Sequence, residues 1–121
     1  MSRILIVDDN EIIRNLLRLV LEEAGYEVVE AIDGLKAFKF HNKKPADLII
    51  TDINMPVKNG LELIAELKMQ DPDLKIIAIS GDNDQDLSTT LKTAQKLGAA
   101  YAFAKPFDTQ EVVKAVKELI G

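Results

Sequence analysis

The chain has no cysteine, no tryptophan and a single histidine, His41, among its 121 residues. Without thiols there is neither a disulfide framework nor a sulfur-ligated metal site, and one imidazole makes no zinc cluster. Any bound metal must therefore be held by oxygen. Long apolar stretches are missing as well. The longest run free of charged residues is 97–104, well short of the roughly 20 residues a membrane helix needs, so no membrane association is expected. An excess of positive charge is also lacking: 15 Lys and Arg face 20 Asp and Glu, for a net charge of −5. That is the wrong sign for direct binding to nucleic acid. The glycine patterns GxxxxGK[ST] and GxGxxG are absent, so no nucleotide phosphate loop is encoded. The start, Met1-Ser2-Arg3-Ile4, shows no basic region followed by an extended apolar segment, and a cytoplasmic protein is expected.

What is present is enough for one compact unit. With 47% hydrophobic and 29% charged residues, the composition is that of a folded chain and not a disordered one, and residues 1–121 read as a single domain without repeat or linker. Short β-branched apolar runs alternate with longer segments of helical period, the pattern of βα units around a parallel sheet. Strands are predicted at 4–7, 27–31, 48–51, 75–80 and 100–104. Helices are predicted from the three-four spacing of Ile12, Ile13, Leu16, Leu17, Val20 and Leu21, of Leu61, Ile64 and Leu67, of Leu87, Leu91, Ala94 and Leu97, and of Val112, Val113, Val116 and Ile120. A shorter helix carries Leu35, Ala37 and Phe38. Gly25 and Gly98 read as helix stops, and Asp108 or Thr109 as the last cap.

Polar residues stand at the carboxyl ends of four predicted strands: Asp8 and Asp9, Asp52, Ser80, and Lys105. Open α/β sheets place their sites there. Several carboxylates without His or Cys suit a hard divalent cation such as Mg²⁺, which keeps several waters and shares phosphate oxygens. A nearby lysine and hydroxyl would complete a phosphoryl site, in which an Asp carboxylate can act as nucleophile. Each residue also has a plainer reading. Asp8, Asp9 and Asn10 precede a helix and could cap it. Ser80 beside Gly81 could be a turn former, Lys105 a solvated lysine, and His41 a helix-end residue whose role is capping or solvation. Gly60 is read as supplying backbone freedom before a helix and Pro106 as a candidate cis bond in a tight turn.

Taken together, Val7-Asp8-Asp9-Asn10, Asp52-Ile53-Asn54-Met55-Pro56 with Gly60, Ile79-Ser80-Gly81 and Lys105-Pro106-Phe107 resemble the receiver domain of response regulators, over the whole chain. The resemblance implies a flavodoxin-like (βα)5 fold of the α/β class with a five-stranded parallel sheet in the order 2-1-3-4-5. It implies Asp52 as phosphoacceptor. Asp9 and Asp52 would be direct Mg²⁺ ligands, Asp8 a ligand through water, and the Asn54 backbone carbonyl a further one. Lys105 would pair with the phosphoryl oxygens and Ser80 would donate its hydroxyl to them, with Gly81 leaving access open. The implied partners are a histidine kinase or histidine phosphotransfer protein upstream and a protein target downstream.

Two rivals are weighed against this. A small phosphatase with an aspartate nucleophile would use the same parts, but such enzymes place an acid-base Asp two residues after the nucleophile, and Asn54 cannot move a proton. A flavin-binding module is disfavoured by an aromatic content of 5%. The chain also departs from the family at Ala102, where receivers commonly carry a switch aromatic, and at Lys58, where methionine is common. Strand alternation sends Tyr101 and Phe103 to the face opposite Ala102, which leads to the expectation that residues 81–87, with Asp82, Asp84 and Asp86, carry the response instead.

Overall fold

The structure is a computed structural model that describes residues 2–55, 57–81 and 87–121. Five strands and five helices alternate: β1 (Arg3–Val7), α1 (Glu11–Glu23), β2 (Glu27–Ala31), α2 (Gly34–Lys43), β3 (Leu48–Asp52), α3 (Gly60–Gln70), β4 (Lys75–Ser80), α4 (Leu87–Leu97), β5 (Tyr101–Ala104) and α5 (Thr109–Ile120). The strands form one parallel sheet in the order β2-β1-β3-β4-β5. Asp108 Oδ1 accepts the Gln110 N–H at 2.8 Å, which settles the last cap in favour of Asp108. The acidic segment 82–86, including Asp82, Asp84 and Asp86, lies outside the described residues.

Both faces of the sheet are covered, and strand alternation sorts the core into two halves. Ile4, Ile6, Ile50, Ile77 and Ile79 meet Leu17 and Leu21 of α1 and Val112 and Val116 of α5. Leu5, Val7, Ile49, Ile76 and Ala78 meet Ala37 of α2, Leu63, Ile64 and Leu67 of α3, and Ala94 of α4. Because the three central strands are covered on both sides, each carries an unbroken apolar run, 4–7, 48–50 and 76–79, before the polar residues at its carboxyl end. Tyr101 and Phe103 pack with the α1–α5 half and Ala102 with the other, as alternation requires.

Helix starts are set by short polar side chains. Asn10 Oδ1 accepts the N–H groups of Ile12 and Ile13, Asp33 that of Lys36, and Asn59 that of Glu62. Such caps satisfy donors that have no partner inside the helix. Asn10 is thus the α1 cap, and the capping alternative for Asp8 and Asp9 falls away. Past α1, Gly25 takes φ +100°, a left-handed conformation that glycine enters without penalty.

Two readings need correction. Gly60 has no unusual φ. A Cβ there would lie 2.3 Å from the Asp52 carbonyl oxygen and 2.6 Å from Ile53 Cα, so glycine is required by close backbone packing beneath the end of β3. His41 is neither solvated nor a cap: it is 3% exposed, and its Nδ1 accepts the Ala46 N–H at 3.0 Å. The chain turns back into β3 around that bond.

Candidate functional site

The topology turns between β1 and β3, whose following helices lie on opposite faces of the sheet, and this is where the carboxylates gather. Asp8 follows β1, Asp52 ends β3, Ser80 ends β4 and Lys105 follows β5. Carboxylate oxygens of Asp8, Asp9 and Asp52 all lie within 4.8 Å of one another. Asp8 and Asp52 are buried and Asp9 is exposed.

Lys105 stands between the two buried carboxylates. Its Nζ donates to Asp8 Oδ2 at 3.0 Å and is 3.6 Å from Asp52 Oδ2. The Lys105 backbone N–H donates to the Ser80 carbonyl at 2.8 Å, and the Lys105–Pro106 peptide is cis, as the turn reading anticipated. Asp8 Oδ1 accepts the Asn10 N–H at 2.9 Å, while among the described residues Asp52 Oδ1 receives only a long bond of 3.4 Å from the Asn54 N–H. One ammonium thus stands against two buried carboxylates, with an oxygen of the exposed Asp9 carboxylate within 4.8 Å of both. Burial, followed by the Asp8 charge, pushes the Asp52 carboxyl up from an ordinary 3.8 to about 6, against the opposing pull of Lys105.

Ser80 is completely buried, and among the described residues its Oγ has no hydrogen-bond partner. A buried hydroxyl without a partner is costly unless something else approaches it. Gly81 itself is uncrowded: among the described residues a Cβ there would meet the Lys105 Cδ, at 3.9 Å. The donor set tests well for a hard cation: it is all oxygen, it carries excess negative charge, and two of its carboxylates sit where water cannot fully screen them.

The Response regulator receiver domain model matches residues 4–117. This chain belongs to the response regulator receiver domain family. It is a phosphoacceptor module of two-component signal transduction. Protein CcdB of Bacillus subtilis is 38% identical, covering 100% of this chain and 99% of that protein. Sporulation initiation phosphotransferase F of the same organism is 35% identical, covering 98% of this chain and 94% of its own length. Among solved structures, the response regulator protein TrrA of Thermotoga maritima, in complex with Mg²⁺-BeF, superposes with a TM-score of 0.87 at 36% identity, covering 99% of this chain and 100% of that one. The flavodoxin-like fold expected of a receiver is the one found.

Asp8, Asp9, Asp52 and Lys105 are brought together, with Ser80 at the end of the neighbouring β4. Lys58 is engaged elsewhere, pairing with Glu66 at 2.6 Å and lying 5.8 Å from the Phe38 ring centroid. Residues 82–86 lie outside the described part, so the expected loop response has no structural counterpart here. Two supporting residues were missed in the sequence. Thr51 donates its hydroxyl to the Asp52 carbonyl at 2.9 Å, and Arg14 Nη1 donates to the Asp8 carbonyl at 2.7 Å. A threonine directly before Asp52 was a visible signal. The reach of Arg14 was not, because it depends on how α1 sits against β2.

Proposed function

We propose that this receiver accepts a phosphoryl group on Asp52 in an Mg²⁺-dependent step, residues 1–121 acting as one unit. The observation that supports this best is Lys105 Nζ set between Asp8 and Asp52, with a buried Ser80 hydroxyl at the end of β4 that has no partner among the described residues. Asp9 and Asp52, with Asp8 and the Asn54 carbonyl, are the residues that would hold Mg²⁺. When bound, the ion supplies charge neutralisation to carboxylate and phosphoryl oxygens alike. An Asp52 oxygen attacks phosphorus in line, the new O–P bond forms as the bond from phosphorus to the donor nitrogen breaks, and that bond's electron pair leaves with the donor. Lys105 balances the charge on the phosphoryl oxygens, and Ser80 donates its hydroxyl to one of them.

The donor in this reading is a histidine kinase or histidine phosphotransfer protein in the cytoplasm, and the phosphorylated form shifts a conformational equilibrium read by a protein target. Apart from its own phosphorylation and dephosphorylation the receiver turns over no substrate, in keeping with Asn54 in place of an acid-base carboxylate. Nucleic acid and membrane are not direct partners. Among the described residues no helix is long and apolar enough to cross a membrane.

Incubation with acetyl phosphate and Mg²⁺, followed by intact mass measurement and a panel of donor kinases, tests the reading. The expected result is one phosphate per chain, lost with EDTA and lost in Asp52→Asn. Labelling that persists in EDTA would remove the metal from the scheme, and an adduct mapped to a carboxylate other than Asp52 would remove the acceptor.

A further inference from the structure

Two of the three carboxylates lie on the turn between β1 and α1, and this turn is held from behind by a side chain outside the site. Arg14 Nη1 donates to the Asp8 backbone carbonyl at 2.7 Å, and Arg14 Nε donates to Glu30 Oε1 at 3.0 Å. Glu30 is fixed in turn, since Arg18 Nε donates to its other oxygen, and Arg18 also pairs with Glu22 at 3.0 Å. The Arg14 side chain is 14% exposed. The Asp8 carbonyl belongs to the peptide that leads into Asp9, so its direction governs where the Asp9 backbone begins. Asp8 is otherwise restrained through its N–H, which donates to Ala31 at 3.2 Å, and through its carboxylate. Among the described residues, Arg14 is the side chain that reaches the carbonyl.

We propose that Arg14, pinned by Glu30, is a positioning residue for the metal site: it fixes the Asp8–Asp9 peptide so that the exposed Asp9 carboxylate needs little ordering before it can take a cation. The inference rests on the metal reading of the preceding section. A planar guanidinium can satisfy Glu30 and the carbonyl at once from two nitrogens. An ammonium on a flexible stem lacks that fork.

The sign of the effect separates positioning from simple charge. Arg14 is a cation near a cation site, so Coulomb repulsion alone predicts that Arg14→Gln binds Mg²⁺ more tightly and that Arg14→Lys binds it unchanged. Positioning predicts that both bind it more weakly. Loss of an outer-shell partner weakens metal sites about tenfold or more, and about tenfold is expected for Arg14→Gln, with Arg14→Lys between it and wild type.

The test is Mg²⁺ titration of the ¹⁵N-labelled full chain, following the amide signals of Asp9 and Asn10, with metal-free melting of each variant alongside. Weaker binding in both variants while the remaining spectrum stays native-like supports the proposal. Unchanged or tighter binding in a folded Arg14→Gln overturns it. Should Arg14→Gln fail to give a folded spectrum, Arg14→Lys decides alone: weaker binding supports the role and unchanged binding overturns it. A wild-type chain whose Asp9 and Asn10 signals ignore Mg²⁺ overturns the metal reading itself, and this inference with it.

Discussion

At the amino ends of the strands, half-buried and buried polar groups are matched. His41 Nδ1 accepts the Ala46 N–H at 3.0 Å, Lys68 Nζ donates to the carbonyls of Pro72 and Leu74, and Arg3 donates to the Pro45 carbonyl at 3.0 Å while pairing with Glu27. At the carboxyl ends, Asp8 and Asp52 share one lysine, and among the described residues Asp52 keeps a single long hydrogen bond and the Ser80 hydroxyl has none. The two ends belong to the same strands and rest on the same core. What differs is the use made of buried polarity: one end closes the chain upon itself, and the other holds charge and hydrogen-bonding capacity in reserve for an incoming ion and phosphoryl group. Such a reserve costs stability in the metal-free protein.

The largest expected effect sharpens this contrast. A rise of the Asp52 carboxyl from 3.8 to about 6 corresponds to about 3 kcal/mol. Because the folded value lies above the unfolded one, the ionised group weakens the metal-free fold fully above pH 6, and that penalty fades as the pH falls towards 3.8. Asp52→Asn should therefore raise metal-free stability at pH 7.5 by up to about 3 kcal/mol. Urea denaturation is the measurement. The gain should shrink towards pH 4, and equal stability of mutant and wild type at pH 7.5 would break the comparison.

His41→Ala should act in the opposite direction, lowering stability by about 2 kcal/mol through a lost side chain and a buried Ala46 N–H left unpaired. Burial holds the His41 imidazole below its ordinary 6.5, with Asp71 pulling the other way. With the folded value below the unfolded one, this residue's contribution is present above pH 6.5 and is lost as the pH falls below it. Asp52 and His41 thus push stability in opposite senses over the same acid range, and denaturation of the two variants from pH 7.5 to 5 separates them. A neutral His41→Ala would mean that the amino-end turn does not depend on this bond.

Ser80→Ala should have the smallest effect on the metal-free fold, a change of about 1 kcal/mol or less and not a loss, because the hydroxyl it removes has no partner among the described residues to leave behind. Its consequence belongs after phosphorylation. Beryllofluoride-induced amide shifts should shrink in Ser80→Ala, whereas an unaltered shift pattern would remove the hydroxyl from the response.

Legibility followed the range over which each feature is determined. Strands were readable because burial on both faces demands unbroken apolar runs, and their polar ends stood out as soon as those runs stopped. The caps of the first and last helices were readable to within a residue or two, as Asn10 and Asp108, since a cap depends on a few neighbouring residues; those at Asp33 and Asn59 came from the structure. Gly60 is legible as a glycine before a helix but its cause is not, because a close approach to the Asp52 backbone is a contact between a loop and a strand end and leaves no local trace. His41 was misread for a similar reason. A histidine at a helix end looks the same in sequence whether it faces water or, as here, the returning chain.

The sequence by itself determined the order of elements, the helical period of the connecting segments and the residue types offered at the strand ends, because periodicity and chemistry are local properties. Only the tertiary structure decided that Lys105, 97 positions from Asp8, sits between two buried carboxylates, that the Ser80 hydroxyl has no partner among the described residues, and that Arg14 reaches the Asp8 carbonyl with Glu30 behind it. The physical reason is that strand pairing and helix packing convert separations along the chain into distances of a few ångströms. Charge coupling and hydrogen bonding respond to those distances alone.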